Sequence, residues 1–270
     1  MSAEHFSKIE PYIEILKLKS STVDVAVMLG VCGAVGQMDY RIGFALFAGI
    51  LIHSACDIFN DIYDQDIDRI CKPNSPIVSG RMSLRNAVVY MLVLYFIGIT
   101  IAMALNKIIF ICYVAEIIVG GILYSHPLFR FKDKPVIAIA SVAICFSFEA
   151  VGMWSLYLDI TKEAIIFAAY IFSLVFFLVF LKDFRDVKGD KNSLPVMLGI
   201  RKAAVVCSIM LLFPLPFLFH FSLISALVFF ITLIPCIYIL LFCDPVALGS
   251  RLKDFMIFAI FAPNLSMFLL

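Results

Sequence analysis

Between His53 and Ser83 the chain places Asp57, Asn60, Asp61, Asp64, Asp66 and Asp68 within twelve residues. On a helix turning about 100° per residue, Asp61 and Asp68 point within about 20° of each other, and Asp57, Asn60 and Asp64 share the same broad face. Carboxylates crowded in this way repel one another unless cations lie among them. The ligand atoms on offer are all oxygen, which points to a hard cation such as Mg2+, and Mg2+ at such a site usually brings a phosphate with it. A second set, Asp183, Asp186 and Asp190, is spaced i, i+3, i+7 and again marks one helical face. Two acidic ladders facing one another can hold two or more Mg2+ ions that bridge the oxygens of a diphosphate. Each ladder alone also fits a solvated helix end; the pair, each interleaved with Arg or Lys, fits a site better.

The elements that must position these residues are membrane spans. Of 270 residues 63% are hydrophobic and only 15% charged, with mean hydropathy +1.04; a soluble domain carries about 25% charge. Apolar runs at about 22–38, 42–60, 85–105, 107–124, 135–158, 162–181, 203–221, 222–243 and 254–270 each approach the roughly 20 residues that cross a bilayer core. The fold class expected is an all-α membrane protein of about nine transmembrane helices, one domain over 1–270. The least clear division lies in 203–243, where Pro214, Pro216 and His220 mark a kink or a turn. Residues 5–19 alternate apolar and polar at helical spacing and predict an interfacial helix. The first twenty residues lack the continuous apolar stretch and small-residue cleavage site of a signal peptide.

Charge orients these spans. With the N-terminus in the cytoplasm, 18 of the 21 Lys and Arg residues fall on the inner side and only Arg41, Lys107 and Lys162 fall outside. Both acidic sets then leave the membrane on the cytoplasmic face, at the ends of spans two and six, and the C-terminus lies outside. The net charge of +1 offers no basis for nucleic-acid binding. The eight cysteines are scattered through apolar runs without a C-x-x-C pair, as small buried residues would be.

The run Asn60-Asp61-Ile62-Tyr63-Asp64-Gln65-Asp66-Ile67-Asp68 resembles the N-D-x-x-D-x-x-x-D motif of the UbiA superfamily of intramembrane prenyltransferases. Its continuation from Lys72 through Pro73, Pro76, Ser79 and Gly80 to Ser83 is similar to that family's R-P-x-R-P-I-x-S-G-x-x-S, with Ser75 standing where the family usually has Arg. Asp183, Asp186 and Asp190, followed by Leu194-Pro195-Val196, resemble the second motif. Tyr124 through Lys132 resembles the family's Tyr-plus-Lys segment, with its basic residues displaced, and Lys19-Ser20-Ser21-Thr22 replaces R-P-x-N. The resemblance implies helices around a central cavity, capped by cytoplasmic loops that carry the two motifs at 57–68 and 183–190.

It also implies a reaction: transfer of a prenyl group from a prenyl diphosphate to a hydrophobic acceptor, with release of diphosphate. In that reading Asp61, Asp64, Asp68, Asp183, Asp186 and Asp190 hold Mg2+, and Asp64, Asp190, Tyr124 and Lys132 act in catalysis. Asn60, Lys72, Arg130 and Lys182 bind the diphosphate. Aromatic faces, Tyr63 and Tyr124 among them, stabilise the positive charge that grows on the allylic carbon. The acceptor stays open between an aromatic quinone-type ring and a geranylgeranylglyceryl phosphate-type lipid, and the oligomeric state is not legible. A membrane cation transporter or channel with cytoplasmic acidic sites is the alternative; it lacks an acidic path to the outer face. A phosphatidyl-group transferase ranks lower, because its glycine-containing double motif is missing.

Two acids fall deep within apolar runs, Glu116 and Glu149, where an ionised side chain costs at least about 2.5–3.5 kcal/mol. Each fits a base or acceptor partner about as well as it fits a hydrogen-bonded structural acid. His53, one turn before Asp57, fits a support for the ladder better than a metal ligand. Asp24, Asn264 and His220 carry no assigned role.

Overall fold

Apolar runs in a bilayer satisfy their own backbone polar groups by forming helices, and that is the architecture of the computed structural model, which describes residues 3–187 and 193–269. Those residues contain helices and connecting turns and no β-strand. In chain order the α-helices are α1 (Ala3–Glu14), α2 (Thr22–Val35), α3 (Tyr40–Tyr63), α4 (Gln65–Cys71), α5 (Leu84–Leu105), α6 (Lys107–Glu116) and α7 (Pro135–Trp154). There follow α8 (Lys162–Asp186), α9 (Leu194–Leu198), α10 (Ile200–Met210), α11 (Leu215–Phe221), α12 (Leu223–Phe242) and α13 (Gly249–Ser266).

Six segments are long and apolar enough to cross a bilayer: α3, α5, α7, α8, the pair α10–α11 taken together, and α12. The other three expected runs are also helical. α2 has 14 residues, α6 continues into a π-helical segment at Ile117–Leu123, and α13 begins with Arg251, Lys253 and Asp254. Within 203–243, Pro214 caps α11 after a short turn. Ser222 breaks the chain from α11 to α12, its hydroxyl accepting from the Ser225 N–H. The N-terminal helix stops at Glu14 rather than running to 19. Lys17 has φ +50°, a left-handed conformation that an α-helix does not tolerate.

α3 packs along α5, where Gly98 lets the helices approach. A Cβ there would stand 2.8 Å from Ile52 Cγ1 and 3.1 Å from the Ala48 carbonyl oxygen. Small residues at such crossings are the usual route to close helix packing in membranes. α7 pairs with α8, and α13 packs against α2, α8 and α12. The core includes an aromatic cluster of Trp154, Phe167, Tyr170 and Phe221. Outward faces remain apolar, with Val89, Leu92, Phe96 and Met103 of α5 and Leu227, Ile231, Ile234 and Tyr238 of α12 exposed, as lipid-facing surfaces require.

Candidate active site

α3 delivers the first acidic set and then ends. Asp64 sits at φ −100°, ψ 12°, outside the helical region, so α3 closes at Tyr63 and α4 restarts at Gln65. The single continuous ladder expected from the spacing is therefore broken, and the 20° alignment of Asp61 with Asp68 does not apply. The break sorts the carboxylates: Asp61, Asp64 and Asp68 are buried, while Asp66 turns to solvent and pairs with Arg69.

Each buried carboxylate meets a lysine. Lys17 Nζ donates to Asp61 Oδ1 at 2.7 Å. Lys132 Nζ lies 2.5 Å from Asp64 Oδ1, and Lys72 Nζ lies 3.2 Å from Asp68 Oδ1. Burial by itself would push the Lys17 ammonium down. The charges of Asp57, Asp61 and Asp68, with the Asp61 hydrogen bond, outweigh it and hold the group above the ordinary lysine value. At Lys132 burial wins over the attraction of Asp64, and its pKa is lowered. Lys132 also donates to Asn60 Oδ1 at 2.8 Å, where the Ser125 hydroxyl donates too, at 3.1 Å. Asn60, Asp64 and Lys132 thus form one bonded group joining the end of α3 to the segment before α7. Arg130 leans elsewhere, pairing with Asp133 at 2.7 Å and reaching Asp64 only at 3.9 Å.

Three adjoining cavities open around this group. The polar one, of about 250 Å³, is lined by His53, Asp57, Asn60, Glu116, Tyr124 and Lys182 among others. A second, lined by Tyr124, Lys132, Lys182, Asp183 and Ser193, brings the start of the second acidic set to the same place. The third, of about 310 Å³, is an apolar groove between α2, α8 and α13, walled by Val175, Leu178, Val179, Met256 and Ile260. Lys19, Lys182, Arg185 and Lys253 rim it. Polar cavity and groove share His53, Val142, Phe146 and Lys182 as a common wall.

The donor set fits a hard divalent cation: oxygen atoms only, from Asp61, Asp64, Asp68 and Asp183, with lysine ammonium groups already standing where positive charge is required. Among the described residues no three His, Cys, Asp or Glu side chains converge closely enough to hold a metal by themselves. Asp186 ends α8, and Asp190 lies outside the described residues.

Several participants were not legible as such. Lys17 belongs by pattern to the amphipathic N-terminal stretch, yet its left-handed turn carries it to Asp61. Phe146, one of 27 phenylalanines, lines both cavities, whereas Tyr63 packs on Phe59 and His126 at the surface. His53 is held by Asp24, at 3.1 Å, rather than by the ladder, and Ser125 gave no signal beyond its place beside Tyr124. Asn264 accepts from Tyr170, and His220 pairs with Glu163 far from the site.

The sequence profile of the UbiA prenyltransferase family matches residues 25–262. Digeranylgeranylglyceryl phosphate synthase of Methanosphaera stadtmanae is 27% identical over 262 residues, covering 91% of each chain. The synthase of the same name from Methanococcus aeolicus is 29% identical, over 78% of each. A solved structure of digeranylgeranylglyceryl phosphate synthase in membranes shares the fold, with TM-score 0.74 and 20% identity over 97% of this chain and 99% of that one. A UbiA homologue from Archaeoglobus fulgidus, bound to GPP and Mg2+, superposes with TM-score 0.68 and 16% identity over 96% of this chain and 100% of that one.

Proposed function

The chain belongs to the UbiA prenyltransferase family, and from that premise we propose that it transfers a prenyl group from a prenyl diphosphate to the hydroxyl of a glyceryl phosphate-type lipid. The observation that carries the choice of acceptor is the pair of compartments with a common wall. The polar cavity offers Asn60, Tyr124 and Lys182 to a diphosphate. The groove offers apolar walls below a rim of Lys19, Lys182, Arg185 and Lys253, which suits an amphiphile with an anionic head. The digeranylgeranylglyceryl phosphate synthases of Methanosphaera stadtmanae and Methanococcus aeolicus support the same choice, through the lipid in their name.

Asp61, Asp64 and Asp68, with Asp183, Asp186 and Asp190, would hold Mg2+, which supplies Lewis-acid neutralisation of the leaving diphosphate. The chain's own residues do the rest. Lys132 fixes Asn60 and Asp64 in one arrangement, so the oxygen donors are set before substrate arrives. Lys72, Lys182 and Arg130 are cations within the region that can clamp diphosphate oxygens. Phe146 and Tyr124 present aromatic surface to the cavity where the allylic carbon gains positive charge. The apolar walls exclude water, so the acceptor oxygen rather than water meets that carbon.

The same reading assigns a single domain over 1–270 with nine spans. It places the N-terminus and both acidic motifs on the cytoplasmic side and the C-terminus outside. A cation channel is not favoured. Toward the helix ends opposite the acidic residues, the apolar side chains Ile42, Ala45, Ile109 and Met153 are all buried. The reading is tested by mass spectrometry of products from purified protein given C10–C20 prenyl diphosphates and a panel of acceptors. Geranylgeranylglyceryl phosphate should be prenylated and hydroxybenzoate should not; the reverse pattern would transfer the assignment to an aromatic acceptor.

A further inference from the structure

Beneath the diphosphate-facing residues, the polar cavity has a floor that the reaction described above does not use. Glu116 lines it, is only 7% exposed, and its Oε2 has no hydrogen-bond partner among the described residues. Leaving a buried carboxyl oxygen unpaired costs free energy, and such groups gather where chemistry is done. Backbone geometry adds a second, independent sign. Glu116 is the last residue of α6, and the next seven residues form a π-helix, Ile117–Leu123. π-helical segments are rare and concentrate at functional sites. Glu116, Gly120 and Tyr124, which precede, lie within and follow this segment, all line the cavity.

His53 stands on the same wall, within electrostatic reach of Glu116. Its Nδ1 is 3.1 Å and 3.3 Å from the two oxygens of Asp24, a side chain that is itself 1% exposed. His53 also lines the apolar groove. Glu116 therefore faces the polar cavity, and His53 stands where that cavity meets the groove.

Transfer to a hydroxyl needs a place for a proton. The acceptor oxygen forms a bond to C1 of the prenyl group, the C1–O bond to diphosphate breaks with its electron pair leaving on the diphosphate, and the hydroxyl proton must be taken up. The diphosphate residues at the cavity mouth are committed to charge neutralisation. We propose that Glu116 is the catalytic base that accepts this proton, and that His53, fixed by Asp24, is the positioning residue that keeps its carboxylate facing the acceptor. The proton then passes to water after diphosphate and product have left the cavity. Glu149, wholly buried behind Gly49 and Tyr113, lines neither cavity and stays outside the route.

This inference rests on the prenyl-transfer reading, and one set of measurements separates the two. Wild type, E116Q, E116A and D24N are assayed with Mg2+, geranylgeranyl diphosphate and geranylgeranylglyceryl phosphate, and binding of a non-hydrolysable geranylgeranyl thiodiphosphate is read by thermal shift. A general base contributes about 10²–10⁴-fold. E116Q should lose about 100-fold in kcat with analogue binding and KM for the prenyl diphosphate unchanged, and formate should restore E116A at least about tenfold. D24N should lower kcat about tenfold without changing either KM. E116Q and D24N both within about threefold of wild type would overturn the proposal, as would E116Q losing analogue binding in step with turnover, which would make Glu116 structural. No transfer by wild type itself would overturn the underlying reading instead.

Discussion

Lys17 supplies from within the chain the positive charge that buried Asp61 requires. It does so from a left-handed backbone conformation that costs of order 1–3 kcal/mol, so the pairing is maintained against strain. The pair is only partly buried, with the Lys17 side chain 32% exposed, which reduces its worth to about 1–2 kcal/mol. K17M should therefore melt a few degrees below wild type without metal, and gain more stability than wild type from Mg2+ plus the thiodiphosphate, since Asp61 would be released to the metal. Thermal unfolding in detergent reads both quantities; an unchanged ligand-induced gain would remove Lys17 from the site. At this scale the sequence was informative about donors and less so about their partners. Asp61, Asp64 and Asp68 were visible in the sequence as closely spaced carboxylates, and all three are buried. Lys17 and Ser125 were not visible in this way, because their roles come from a turn and a loop that bring distant residues to the site.

Among the described residues, helices occupy most of each apolar run and six segments are long and apolar enough to cross a bilayer, because hydropathy over about twenty residues integrates a strong signal. What hydropathy does not carry is local backbone geometry. Carboxylates at helical spacing predict one helix through Asp68, whereas Asp64 leaves the helical region and α4 begins anew. The π-helix after Glu116 has no composition of its own, and Gly120 and Gly121 mark it only in retrospect. Gly98 is a different case, a residue whose lack of a side chain sets the α3–α5 distance. Overpacking costs typically about 1–3 kcal/mol, and G98A meets the Ala48 carbonyl, which cannot swing aside. G98A should lower thermal stability by that amount and blunt turnover, because α3 carries Asn60 and Asp61 and leads directly into Asp64; full stability would mean that the helices can separate at no cost.

For the whole molecule, the orientation proposed from the distribution of basic residues can be tested with a reporter that the protein already contains. Cys71 is the one exposed cysteine of the eight and ends α4, beside Lys72. A membrane-impermeant maleimide should label Cys71 in inside-out vesicles and leave it unlabelled in right-side-out vesicles; the opposite pattern would invert the topology. The family and the reaction were legible from two short motifs, because metal-bound diphosphate chemistry restricts residue type and spacing so tightly. The acceptor was not, because the groove that argues for a lipid is assembled from α2, α8 and α13, helices with no shared motif.

The central claim is that the two acidic sets serve one metal-dependent transfer. It is tested most directly by counting products from purified protein in lipid, supplied with geranylgeranyl diphosphate and geranylgeranylglyceryl phosphate. One diphosphate should be released for each ether formed when Mg2+ is present, neither product should form when the metal is chelated, and D64A and D190A should each lose turnover while remaining folded. Ether formation that continues without a divalent cation, or that survives in either variant, would contradict the account.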